Sequence, residues 1–227
     1  MTEPPESPLT VDVISDVVCP WCYIGKRRLE VARRLTGGGA ARDVVVRWHP
    51  FELNPDLPHA GIDRRAYLEA KFGGPERAST IYERVRAAGS SVGIPFAFER
   101  IARQPNTRDA HRLVAWAQDR GDAGPLVERL FTAYFLDGRN PGDRDVLAAI
   151  AGEAGLDAAA ARAMLDSDEG KDAVLASERR AHEIGIGGVP FFIFNGRIAV
   201  SGAQEPQVLA DAIAEAIRTP GPRAATA

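Results

Sequence analysis

The sequence predicts an α/β protein. Three observations carry that reading: a strand–helix–strand opening, a hairpin-plus-helix closing, and a long tract between them that reads as helix after helix. Residues 9–14 are rich in β-branched side chains and predict a strand, as do residues 44–49. Between them, from Pro20 to Leu35, Trp21, Ile24, Leu29, Ala32 and Leu35 recur at near-helical spacing, and Gly37, Gly38 and Gly39 end the element. A strand, a helix and a second strand in this order imply parallel pairing. Near the other end, residues 190–194 and 197–200 flank Asn195-Gly196, a two-residue hairpin signal. Pro206 then opens a helix whose apolar face is Leu209, Ala212, Ile213, Ala216 and Ile217.

Residues 62–185 carry only helical patterns, separated by Gly and Pro. Asn106 is placed to cap a helix bearing Ala110, Leu113, Val114 and Ala117, and Pro125 opens another with Leu126, Leu130, Ala133 and Tyr134. Asp143, Asp157 and Asp168 read as further N-caps. No self-similar period joins these helices, so a solenoid is not predicted. The expected organisation is a discontinuous α/β domain, residues 9–61 and 186–218, interrupted by an all-helical insert at 62–185. The Pro-rich ends, 1–8 and 219–227, read as tails.

Composition narrows the function classes. A chain of 227 residues with 45% hydrophobic and 26% charged residues is ordinary for a globular protein, long enough to bury roughly 70% of its unfolded surface. A net charge of −3, with arginines scattered among acids, provides no field to collect phosphates, so nucleic acid is not an expected partner. No apolar run approaches the about 20 residues of a membrane span. The stretch after Met1 lacks a positive start and an apolar core, which predicts a cytoplasmic protein. In that compartment a sparse cysteine pair, here Cys19 and Cys22, is redox-active or metal-binding more often than a structural staple.

Cys19-Pro20-Trp21-Cys22 follows an apolar strand and opens a helix, the context that gives a C-x-x-C pair its redox meaning. Cys19 falls near the helix N-terminus, where free amides and the dipole favour negative charge on sulfur, so it is expected to attack. Cys22, one turn further in and shielded, is expected to resolve. Pro20 fits the first helical position, where its missing N–H would be unpaired anyway. A zinc site needs about four ligands, whereas His49, His59, His111 and His182 are scattered singly, so no metal is expected. Gly187-Gly188-Val189-Pro190 precedes the third strand of the α/β part, a place where proline is tolerated. The chain shows no dinucleotide fingerprint, P-loop or paired-carboxylate motif. Trp21, Trp48, Phe51 and Phe96 read as core or groove wall.

A C-x-x-C after the first strand and a Val-Pro before the third resemble the thioredoxin superfamily. With the helical insertion, the chain resembles the DsbA family, and most closely its FrnE-like branch. The matching blocks are residues 16–26, 50–55, 106–113, 133–135, 187–192 and 201–204. The resemblance implies a thioredoxin fold with a helical insertion and thiol–disulfide oxidoreductase or isomerase activity. It makes Pro190 a cis-proline opposite the C-x-x-C, and it implies that Val189 pairs its backbone with an extended substrate beside Cys19, Pro20 and Trp21. The clients implied are protein thiols and disulfides, or glutathione as co-substrate, with no bound cofactor. A reductase or isomerase fits a reducing cytosol better than an oxidase.

The chain departs from relatives at Val13, where many carry a buried acid six residues before the first cysteine, leaving water or Asp16 to move the proton of Cys22. It departs again at Phe191, which is expected to make the groove more apolar than the common Thr. His111, a lone helical histidine, reads as structural, with a titrating role near the thiolate as the other reading. The layout also resembles hydroxychromene-carboxylate isomerases and kappa-class glutathione transferases, which use a Ser or lone Cys; under that reading Asn54, Val189 and Gln204 surround the tripeptide. A third reading is a peptide-binding module whose cysteines only sense redox state. A homodimer is compatible with the sequence, but neither a heptad nor a large apolar stripe predicts one.

Overall fold

The computed structural model describes residues 8–36 and 44–219. It orders β1 (Thr10–Ser15), α1 (Pro20–Leu35), β2 (Val45–Pro50), β3 (Ile62–Asp63), α2 (Arg64–Phe72), α3 (Pro75–Ser90), β4 (Arg103–Gln104) and α4 (Arg108–Gln118). There follow α5 (Gly124–Phe135), α6 (Arg144–Glu153), α7 (Ala158–Asp166), α8 (Lys171–Glu183), β5 (Phe191–Phe194), β6 (Ile198–Ser201) and α9 (Pro206–Arg218). The main sheet has the order β2-β1-β5-β6. β1 runs parallel to β2, with Val13 opposite Trp48, and antiparallel to β5, with Val13 opposite Phe192. β5 and β6 form the hairpin around Asn195 and Gly196, both at positive φ, as an Asn-Gly turn requires. This is the thioredoxin fold with a helical insertion.

Helix α1 begins as its residues dictate: Cys19 is an extended N-cap, Pro20 takes the first turn, and Arg33 and Arg34 complement the dipole in the last. The predicted glycine stop at 37–39 lies outside the described residues, as do most of both predicted tails. Together α1 and α9 cover one face of the sheet over Phe192 and Phe194, α8 packs on the other beside Ile14 and Phe51, and α4 lies against β2. Gly25 is what lets α1 sit so close. A Cβ there would stand 2.9 Å from Pro190 Cγ and 3.1 Å from Phe192 Cζ, against a ring with no freedom to retreat. Gly25→Ala therefore gains up to about 1 kcal/mol of helix propensity but incurs about 1–3 kcal/mol of overpacking. Urea unfolding should show a net loss of up to about 2 kcal/mol; a net gain would contradict the close packing.

Three sequence expectations change. Residues 62–185 are not purely helical: Ile62–Asp63 pairs antiparallel with Arg103–Gln104, a bridge made by tertiary approach and too short to leave a pattern. Thr107, not Asn106, is the N-cap of α4; Asn106 Oδ1 instead accepts from the Arg108 N–H at 3.0 Å, closing the turn one residue earlier. Asp143 and Asp157 cap α6 and α7 as expected, but α8 starts from Gly170 in the left-handed region, and Asp168 pairs its carboxylate with Lys171. Half-buried Phe191 packs with Val189 against Ile14, Phe51, Ala181 and Ile186 on the α8 side of the sheet, because alternation along β5 sends Phe192 and Phe194 to the opposite face.

Candidate active site

The site is built where β1 hands over to α1 and where the segment before β5 meets it. The Cys19 N–H donates to the Asp16 carbonyl at 3.0 Å, closing the turn that presents the cysteine. The Cys22 N–H returns to the Cys19 carbonyl at 3.0 Å. Both cysteines are free thiols, and their sulfurs lie within hydrogen-bonding reach of each other. Both are buried, Cys19 at 5% exposure and Cys22 at 1%, while Trp21 between them is 38% exposed. Cys19 is thus the less shielded residue of the two. The Val189–Pro190 peptide is cis, and the Val189 carbonyl accepts from Cys19 Sγ at 3.7 Å. The Pro190 carbonyl is used by the Gly202 N–H at 2.8 Å. Gly187 and Gly188 are exposed and Val189 is half-buried, so the segment beside Cys19 is open to an approaching chain.

Burial pushes the Cys22 thiol well above its usual range, and the neighbouring Cys19 adds to the rise. The Ser15 hydroxyl and the Asp16 amide pull the other way. A buried group that has to ionise needs an acceptor for its proton, and Val13, 1% exposed, cannot be one.

Behind the cysteines lies a buried polar cluster. Asp16 is fully buried: Oδ2 accepts from the Leu53 N–H at 2.8 Å, and Oδ1 lies 3.4 Å from His111 Nε2. His111 Nε2 makes no well-aligned hydrogen bond despite that proximity. Glu52 is held by Arg108 Nε at 2.8 Å, and its backbone N–H donates to Glu178 Oε1 at 2.7 Å. Burial raises the Glu52 carboxyl, and the Glu178 charge raises it further. For His111 burial works against the proton, but Asp16, with Glu178 and Glu52 beyond, outweighs it and holds the imidazole above its ordinary value of 6.5. A raised folded value contributes stability that is complete below 6.5 and lost as pH climbs through the folded value. Thermal melts of wild type should therefore weaken above pH 6.5 more steeply than those of His111→Gln; parallel curves would contradict the pairing.

The remaining sequence-predicted residues are held by contacts of their own. Asn54 accepts from the Tyr67 hydroxyl at 3.0 Å, and its Nδ2 is buried without a hydrogen-bond partner. Gln204 is exposed, with Nε2 donating to the Ser201 carbonyl at 2.8 Å. A groove of about 680 Å³ runs instead beside the edge strand β2, lined by Lys26, Arg33, Trp48, Gln118 and Glu128. Gln118 covers that edge by accepting from the Trp48 N–H at 2.7 Å. Among the described residues no three His, Cys, Asp or Glu side chains are grouped to hold a metal, and no helix is long and apolar enough to cross a membrane. Sequence reading singled out Asp16 and His111 separately but not the cluster. Glu178 reaches it from 126 residues beyond Glu52, and no local signal announces such a meeting.

Comparison with known proteins agrees with this geometry. The family model described as DSBA-like thioredoxin domain matches residues 10–214. An uncharacterized Bacillus subtilis (strain 168) protein, YwbO, is 29% identical over 206 residues, 90% of this chain and 96% of that one. The crystal structure of a probable DsbA oxidoreductase from Streptomyces coelicolor is 32% identical, with a TM-score of 0.83 over 96% of this chain and 94% of that chain. The cytosolic disulfide reductase DsbM of Pseudomonas aeruginosa shares the fold at 19% identity, with a TM-score of 0.65 over 93% of this chain and all of that one, and has also been solved with GSH. The chain belongs to the DSBA-like thioredoxin domain family, whose model spans nearly all of the described structure.

Proposed function

We propose that this protein is a thiol–disulfide oxidoreductase in which Cys19 attacks a substrate disulfide and Cys22 resolves the mixed disulfide. The observation that carries the reading is the placement of the two free thiols. Cys19 caps the N-terminus of α1 beside the Val189 carbonyl, and Cys22 lies one turn deeper with its sulfur in reach of the first. A helix N-terminus favours negative charge, which suits the sulfur that attacks and the sulfur that leaves. Pro190 and Val189 hold an extended substrate against Cys19 by backbone pairing, with the exposed Trp21 and Pro20 as the opposite wall.

Glutathione is a second client of the same centre: Asn54 Nδ2, a buried donor without a partner, would be satisfied by a carbonyl of the tripeptide. In the cytoplasm, where we place the protein, the glutathione pool favours reductase or isomerase work. The test is turnover of a disulfide-linked peptide with glutathione as reductant. Wild type should accelerate it, and Cys19→Ser should fall to the uncatalysed background because an alkoxide cannot carry the two-electron exchange. Cys19→Ser retaining turnover would remove the proposal.

A further inference from the structure

Resolution requires the Cys22 thiol to lose a proton in a place that disfavours its thiolate, and the acid position on β1 is Val13. The Ser15 hydroxyl and the Asp16 amide favour the Cys22 thiolate, against burial and Cys19. Ser15 is itself buried, and it shares with His111 a small void of about 20 Å³. Apolar Val17, Trp48, Val114 and Val127 supply part of its wall. That is room for one water, which needs roughly 10–15 Å³ and polar partners. His111 offers such a partner, because Nε2 has no aligned hydrogen bond although the residue is 95% buried. A histidine with a purely structural role has its buried nitrogens satisfied. Asp16 is fixed by the Leu53 amide and faces the same nitrogen at 3.4 Å.

From this geometry we propose that Asp16 and His111 form the proton relay for Cys22, joined to its sulfur through the Ser15 hydroxyl and one water in the void. The inference rests on the reading of Cys22 as the resolving sulfur. The Cys22 proton passes to the Ser15 oxygen as the Ser15 proton passes through the water to His111 Nε2. The Cys22 thiolate then attacks the Cys19 sulfur of the mixed disulfide. The Cys19–Cys22 bond forms, the bond from Cys19 to the substrate sulfur breaks, and the substrate leaves as a thiolate carrying the electron pair. The substrate disulfide is the oxidant, and two glutathione thiols re-reduce the pair: the first opens the Cys19–Cys22 bond to a mixed disulfide on Cys19 as the imidazolium returns its proton to Cys22, and the second displaces Cys19 and leaves as oxidised glutathione.

His111 and Asp16 act through Ser15 and are positioning residues for that proton. The charged groups facing His111 are Asp16 from the β1–α1 turn, Glu52 from the segment after β2, Glu178 from α8 and Arg108 on its own helix through Glu52. His49, paired with Asp12 at 2.7 Å, lies across the void. Glu52 does not line the void, so its raised carboxyl is not the acceptor.

The probe is oxidised glutathione mixed with the reduced full-length protein, quenched in acid at intervals and weighed by mass spectrometry from pH 5.5 to 9. In wild type, decay of the Cys19–glutathione adduct should accelerate with pH, with an inflection matching the His111 titration followed by NMR of its ring proton. Ser15→Ala and His111→Gln should each slow that decay by about 100-fold, the lower end of general-base effects. They should remove the inflection and leave adduct formation unchanged; exposed His59→Gln should behave as wild type. Ser15→Ala keeps the histidine and the charges, so the test survives a His111 variant that fails to fold. Unaltered decay rate and pH profile in Ser15→Ala or in folded His111→Gln would overturn the relay while leaving the cysteine roles intact. A wild type that never closes the Cys19–Cys22 disulfide would overturn the function reading, and the relay with it.

Discussion

Cys22→Ser is expected to turn a catalyst into a trap. The variant keeps Cys19 at the N-cap of α1, so attack on a disulfide proceeds, but nothing inside the protein can release the adduct. Release then depends on an external thiol at millimolar concentration. It replaces a sulfur that, from one helical turn away, acts at an effective concentration orders of magnitude higher. Turnover should fall by about 10²–10³-fold, and non-reducing electrophoresis should show a client or glutathione bound stoichiometrically through Cys19. Unimpaired turnover in Cys22→Ser would show that one sulfur suffices, the behaviour of the glutathione-dependent isomerases and transferases that share this layout.

Arg112→Ala is expected to be the most destabilising of the substitutions considered. The guanidinium is fully buried and donates to Asp109 Oδ1 at 2.6 Å and to the carbonyls of Met164, Leu165, Ser167 and Glu169 at 2.7–3.3 Å. Those carbonyls are the C-terminal end of α7 and the turn beyond it, groups that a helix leaves unpaired. One side chain thus ties α4 to α7. Its loss takes a donor from each of them, Met164 alone keeping the Ser167 amide and hydroxyl, and removes a partner from Asp109, whose carboxyl lies below its usual range. There the effect of burial is outweighed by hydrogen bonds from Arg144, Arg112 and His59. Breaking a buried pair of this kind typically costs about 3–5 kcal/mol, a large share of the 5–15 kcal/mol that holds a domain folded. Urea unfolding should record that loss, and Arg112→Lys should recover only part of it, because an ammonium cannot reproduce the planar fork. A loss under about 1 kcal/mol would contradict the clamp.

These two substitutions mark what the residues disclosed and what they did not. β1, α1, β2, the hairpin and α9 fall within a residue of expectation, because each is written locally in β-branched runs, Pro at a first turn, an Asn-Gly turn or a helical stripe. The C-x-x-C declared itself for the same reason. Arg112 was visible only as part of a family-like block, since its carbonyl acceptors lie 52–57 residues away at the end of another helix. The β3–β4 bridge and the Asp16–His111–Glu52–Glu178 cluster are likewise products of assembly. Period and punctuation announce elements, not which buried charges those elements bring face to face. Asp168 illustrates a local limit: Asp is a good cap on paper, but two residues later Gly170 reaches the left-handed conformation that starts α8 without it.

The central claim is that Cys19 and Cys22 form one two-electron redox couple. The most direct measurement is equilibration of the protein in glutathione buffers of graded potential, followed by thiol trapping and intact mass. The predicted result is a single reversible transition in which both thiols disappear together, with a tenfold change in equilibrium constant per about 30 mV and the midpoint fixing the direction of exchange. Contradiction would take the form of Cys19 carrying glutathione across the range while Cys22 stays a free thiol.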